Sequence, residues 1–148
     1  MGARRTGREL ALKALYQADI RGPEPQEEFW SFFERSPADS QARAFARKLV
    51  MGVLAERDAF DRQLAEVLEH WSVARLSHVD HNVLRLALYE LRYLQDVPAR
   101  VTMDEAIELA KRYGDRDSGR FVNGVLDELV GRLGLRSKGE GEAQIKAE

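Results

Sequence analysis

From Ser77 to Leu94 the chain reads SHVDHNVLRLALYELRYL, and Val79, Val83, Leu84, Leu86, Ala87, Leu88, Leu91 and Leu94 cover more than half the circumference of one helix. A surface helix carries a single apolar stripe, whereas a helix that is apolar on most faces needs neighbours on nearly every side. The rest of the chain must therefore wrap this segment, which constrains the fold more than any other feature. Ser77-x-x-Asp80 supplies a start signal and Asp96-Val97-Pro98 a stop.

The wrapping segments also read as helices. Leu10, Ala11, Ala14, Leu15 and Ala18 form one arc of a helix predicted over Thr6–Ile20, ended by Gly22-Pro23. A short aromatic helix over Glu27–Glu34, with Phe29, Trp30, Phe32 and Phe33, is placed to plug a gap. Ser36-Pro37 is a start signal, with Pro at the first helical position. From there Ala42, Phe45, Ala46, Leu49, Val50, Val53 and Leu54 keep helical period, continued by Phe60, Leu64, Val67 and Leu68. One long helix, or two bent near Glu56–Asp58, fits this pattern. Trp71–Leu76 reads as a tight connection.

After Pro98, Thr102-x-x-Glu105 has the form of a capping box, and Ala106, Leu109, Ala110 and Tyr113 recur behind it. Gly114 sits where a left-handed terminator is expected, and Ser118 can cap a final helix with the arc Val122, Val125, Leu126, Leu129, Val130 and Leu133. Gly124 in that helix predicts a close helix–helix approach. The fold class is all-α: one domain over residues 1–134, a bundle of six or seven helices. Residues 135–148 lack apolar period and are expected to form a flexible tail.

Composition narrows the function. The 148 residues contain no cysteine, so disulfides, thiolate metal sites and cysteine nucleophiles are excluded. No apolar run reaches the ~18–20 residues of a membrane span, and the start carries no secretory signal, so a cytoplasmic location is expected. There is no glycine-rich phosphate loop, HExxH or serine elbow, so neither an enzyme nor a cofactor is expected. His78, Asp80 and His81 share a helix start but lack a further ligand, and no metal site is assigned.

The net charge of −2 is unevenly spread. Residues 1–13 hold Arg4, Arg5, Arg8 and Lys13 against Glu9 alone, a net +3, while residues 132–148 carry +1 and the body between them −6. A basic front on an acidic body points to a local polyanion contact. Cations at a helix start also face the positive end of the helix dipole, so three arginines there need a reason, unless they lie in an arm ahead of the helix. A second cluster, Lys111, Arg112, Asp115, Arg116, Asp117, Arg120 and Phe121, surrounds the turn between the last two helices.

Cations beside an edge aromatic can hold single-stranded nucleic acid by phosphate pairing and base stacking. Phe121 lies about 40° from Val125 around the helix, so it can stack on a base or pack at the core's edge; both readings stand open. Asp117 can accept from base amino groups or help a turn. Tyr16, beyond the apolar arc of its helix, can flank such a groove or simply pack.

Three blocks carry a family resemblance: RRTGRELALKALYQ (Arg4–Gln17), VDHNVLRLALYELRYLQDVP (Val79–Pro98), and DEAIELAKRYG followed by SGRFVNGVLD. Together, in this order and spacing, they closely resemble the NusB family of bacterial transcription antitermination factors. The resemblance implies two three-helix units around the central helix and binding of the boxA element of nascent ribosomal RNA. It places Arg4, Arg5, Arg8, Tyr16, Lys111, Asp117, Arg120 and Phe121 at the RNA. It also implies a protein partner, NusE of the small ribosomal subunit, with Asp80 and Glu90 as candidates on that surface. Other Nus factors and RNA polymerase would be engaged indirectly.

A homodimer that masks the RNA surface is one expected state, although no apolar stripe specifies it. NusB-like domains also serve some ribosomal RNA methyltransferases. The chain shows no following α/β pattern, so a free-standing factor is expected. A purely protein-binding helical adaptor is the remaining alternative.

Overall fold

The computed structural model describes residues 2–22, 31, 33–68 and 73–139. Five α-helices are complete among them: α1 (Ala3–Arg21), α2 (Ser40–Val67), α3 (His78–Tyr93), α4 (Ala99–Tyr113) and α5 (Ser118–Arg132). A 3-10 turn covers Val73–Arg75, residue 31 and residues 33–35 are helical, and no described residue lies in a strand. The all-α reading holds. Most of the aromatic helix expected over 27–34, and Trp71, lie outside the described residues. The chain divides into two compact units, Met1–Arg57 and Asp58–Glu148, with the division inside α2.

In the first unit, α1 begins three residues earlier than the apolar arc predicts. Arg4, Arg5 and Arg8 thus lie in its first two turns and not in an arm. Gly2 stands at the N-cap without a side-chain cap, and no acidic residue occupies the first turn. Gly22 closes the helix at φ 128°, where a side chain would be strained. The start of α2 also differs from expectation. Ser36 Oγ accepts from Ala38 N–H at 3.2 Å, forming a turn before the helix. The cap is Asp39, whose carboxylate accepts from Ala42 N–H at 2.8 Å. Past Glu56–Asp58 the helix runs on without a break.

In the second unit, α3, α4 and α5 pack on one another. Ten of the sixteen α3 residues are buried, as its apolar circumference requires. Ser77 caps it, Oγ accepting from Asp80 N–H at 3.1 Å. The capping box at Thr102 does not form. Pro98, which has no N–H to leave unpaired, takes the N-cap and starts α4 at Ala99. Thr102 is therefore a turn inside the helix and buried. Residues 135–139 are held in place as well. Ala99 N–H donates to Lys138 O at 3.3 Å, and Lys138 Nζ donates to Glu90 O at 2.9 Å near the end of α3. Residues 140–148, most of the predicted tail, lie outside the described residues.

One polar cluster ties the end of α2 to α3. Asp61 Oδ1 meets His81 Nε2 at 2.6 Å and Arg85 Nε at 3.0 Å, while Asp61 Oδ2 meets Arg85 Nη2 at 2.8 Å. Arg85 is only 5% exposed, and its remaining Nη1 donates to Asn82 Oδ1 at 3.1 Å. Burial alone would raise the Asp61 pKa, but hydrogen bonds and charge from His81 and Arg85 outweigh it and hold the group at about 2. A carboxyl that ionises more readily in the folded state adds stability above its unfolded pKa and loses it as pH falls toward 2. Asp61→Asn should lower unfolding free energy at pH 7 by about 2–3 kcal/mol. Denaturant titrations should show that deficit shrinking between about pH 4 and pH 2.

Candidate nucleic-acid interface

The turn between α4 and α5 is built by one serine and one aspartate. Ser118 Oγ accepts from Asp115 N–H at 3.0 Å and donates to Asp115 Oδ1 at 3.3 Å. The same carboxylate oxygen accepts from Asp117 N–H at 2.9 Å, an Asx-type turn. Gly114 is required here for space and not for a left-handed backbone, since its φ is −91°. A Cβ on it would lie 2.6 Å from Ser118 Cβ and 2.7 Å from Ala110 O. Ser118 does not cap α5 from outside; it is the first helical residue, buried, with Asp117 at the N-cap.

This turn sets out the predicted cations. Lys111, Arg112, Arg116, Asp117 and Arg120 are all exposed, and Phe121 is half-buried. Asp117 makes no capping bond with its side chain, because Asp115 has taken the turn-forming role. Gly119 lets the stem of Lys111 cross α5: a Cβ there would lie 2.8 Å from Lys111 Cγ. Lys111, Asp117, Arg120 and Phe121 are thus gathered at one end of the α4–α5 pair. The half-exposure of Phe121 leaves part of its ring open while its helix neighbour Val122 is fully buried.

In the first unit, Arg4 and Arg5 are exposed but Arg8 is only 5% exposed. The guanidinium carbons of Arg4 and Arg8 lie 5.2 and 5.6 Å from the centroid of the Phe45 ring on α2. Both are within cation–π range. Phe45 reads in the sequence as an ordinary member of the α2 apolar arc, yet it is half-buried beneath two cations. The i, i+4 spacing of Arg4 and Arg8 shows that they share a helix face; the aromatic they share is a tertiary neighbour that spacing cannot reveal. Tyr16 is 41% exposed on α1, outside its buried arc.

The two partner-surface candidates sit deeper than expected. Asp80 is 8% exposed and Glu90 2%. Burial pushes the Asp80 carboxyl above the usual range, and the Asp115 charge adds to this, against hydrogen bonds with Ser118 and Ser77. Its Oδ1 is buried without a hydrogen-bond partner. Asp80 thereby links the start of α3 to the turn that carries the cations.

Two stability measurements probe this corner. Gly114→Ala forces its Cβ into backbone and should cost about 1–3 kcal/mol in denaturant unfolding. Because folding raises the Asp80 pKa, its ionised form opposes folding. The stability of Asp80→Asn relative to the parent chain should therefore rise from pH 3 to pH 7.

The NusB family model matches residues 5–130. Among curated relatives, the transcription antitermination protein NusB of Myxococcus xanthus is 46% identical over 134 residues, covering 88% of this chain and 96% of its own. The NusB of Sorangium cellulosum is 43% identical, covering 90% and 96%. A solved T. maritima NusB superposes with a TM-score of 0.80 at 43% identity, covering 88% of this chain and 92% of that one. The antitermination factors NusB and NusE in complex with double-stranded RNA include a chain that matches with a TM-score of 0.78 at 31% identity, covering 89% and 98%.

Proposed function

This chain belongs to the NusB family, and on that premise we propose that it is a transcription antitermination factor binding boxA RNA of nascent ribosomal transcripts. With NusE, and indirectly with other Nus factors, it supports processive elongation by RNA polymerase, which places it in the cytoplasm. The observation that carries this reading is the solved complex of a related NusB with NusE and RNA, taken with the exposed cations beside a half-exposed ring in this chain.

The chemistry is that of an adaptor, with no bond made or broken. Arg4 and Arg5 in the first unit, and Lys111 and Arg120 in the second, pair with phosphates. Phe121 offers its open part to a base, and Asp117, unused in capping, accepts from base amino groups. Tyr16 flanks the arginines' helix. Arg8 contributes through its packing. Asp80 and Glu90, being buried, shape the partner-facing helix α3 from within.

Titration of boxA RNA and a scrambled control at several salt concentrations tests the reading. Four phosphate contacts to a single strand predict a log–log salt slope of about −3. Phe121→Ala should weaken RNA binding by about 1–3 kcal/mol. Its stability loss should stay below the ~3–5 kcal/mol typical of a fully buried phenylalanine. Equal affinity for both RNAs, with and without NusE, would overturn the proposal.

A further inference from the structure

We propose that Phe45 is a positioning residue of the RNA site, a ring on which Arg4 is held with its guanidinium edge ready for phosphate, with Lys48 extending the cationic surface along α2. This rests on the reading of the α1 arginines as RNA contacts. The start of α1 is an unfavourable place for them. No acid occupies its first turn, the helix dipole opposes cations there, and like charges at i, i+4 repel. The Phe45 ring meets both guanidinium groups, at 5.2 and 5.6 Å, and its negative face offsets both penalties.

The two arginines then separate in role. Arg8, 5% exposed, belongs to the packing, whereas Arg4 is exposed. A planar guanidinium stacked on a ring keeps its N–H edges free for a phosphate and forfeits less rotamer freedom on binding than an unstacked one. Gly7 fixes the ring in turn. A Cβ at that position would lie 2.9 Å from Phe45 Cδ2, so the α1 backbone abuts the ring directly. Lys48, exposed and three residues beyond Phe45, lies on the neighbouring part of the same helix face.

Binding of labelled boxA RNA, followed by fluorescence anisotropy across a salt series, tests this with Phe45→Leu, Phe45→Tyr, Arg4→Lys and Arg4→Ala, each checked for helicity and thermal unfolding. Phe45→Leu keeps an apolar side chain against Gly7 but removes the ring. Its affinity should fall about 3- to 10-fold, and its salt slope should become shallower by about 0.7 for each phosphate no longer neutralised. Phe45→Tyr should bind like the parent chain. Arg4→Lys, an exposed change that keeps the charge and loses the stacked plane, should weaken binding nearly as much as Arg4→Ala.

If Arg4→Lys binds like the parent while Arg4→Ala weakens binding, charge alone suffices and the role of Phe45 is overturned, even should Phe45→Leu fail to fold. Folded Phe45→Leu with unchanged affinity and slope overturns it equally, leaving the RNA-binding reading intact. If the parent chain shows no boxA preference, both proposals fall together.

Discussion

A helix apolar over most of its surface can bury that surface only at the expense of its own polar groups. Arg85 lies in the middle of α3 and is almost fully buried. A guanidinium in that position is tolerable only when its charge and its donors are matched. Asp61 supplies both, through two hydrogen bonds and an ion pair, and Asn82 takes up a further donor. The association of the end of α2 with α3 is therefore specific in register. Sliding either helix by one turn would bury Arg85 without a carboxylate. Within this unit, the fit of α4 and α5 on α3 presupposes that pairing.

Much of this architecture is legible in the amino-acid order. Apolar period identifies every complete helix, and the Ser77 cap, the Gly22 terminator and the crowding of α3 follow from local chemistry. The misses have a common cause. Thr102-x-x-Glu105 has the spacing of a capping box, but Pro98 starts the helix sooner, so a sound local signal loses to a stronger one nearby. Ser36 loses to Asp39 in the same way. Gly114 is required, but by the approach of Ser118 and not by its backbone angles. Lys138 reads as tail because a single lysine bound to one backbone carbonyl leaves no periodic trace.

The site divides along similar lines. Charge density locates both cation clusters, because exposed arginines announce themselves by composition. Which arginines face solvent is another matter. Arg8 differs from Arg4 only by a helix turn, and the difference arises from Phe45, on another helix far along the chain. Phe121 keeps the intermediate character that its helical angle implies. Asp80 and Glu90 lie among the acids of an amphipathic pattern, and only the packing of α3 shows that they are buried.

The bonds from Lys138 have a consequence for how the molecule comes into being. Its amine grips a carbonyl near the end of α3, and its own carbonyl grips the first residue of α4, so the corner between these helices is fastened from outside. Translation delivers that fastening last. While α5 is still being made, the α3–α4 corner exists without its clasp, and the nascent chain must hold α3 in place by apolar contact alone. The cation-bearing turn before α5 is complete by then, so in the growing polypeptide the surface that meets RNA is assembled before the fold beneath it is locked.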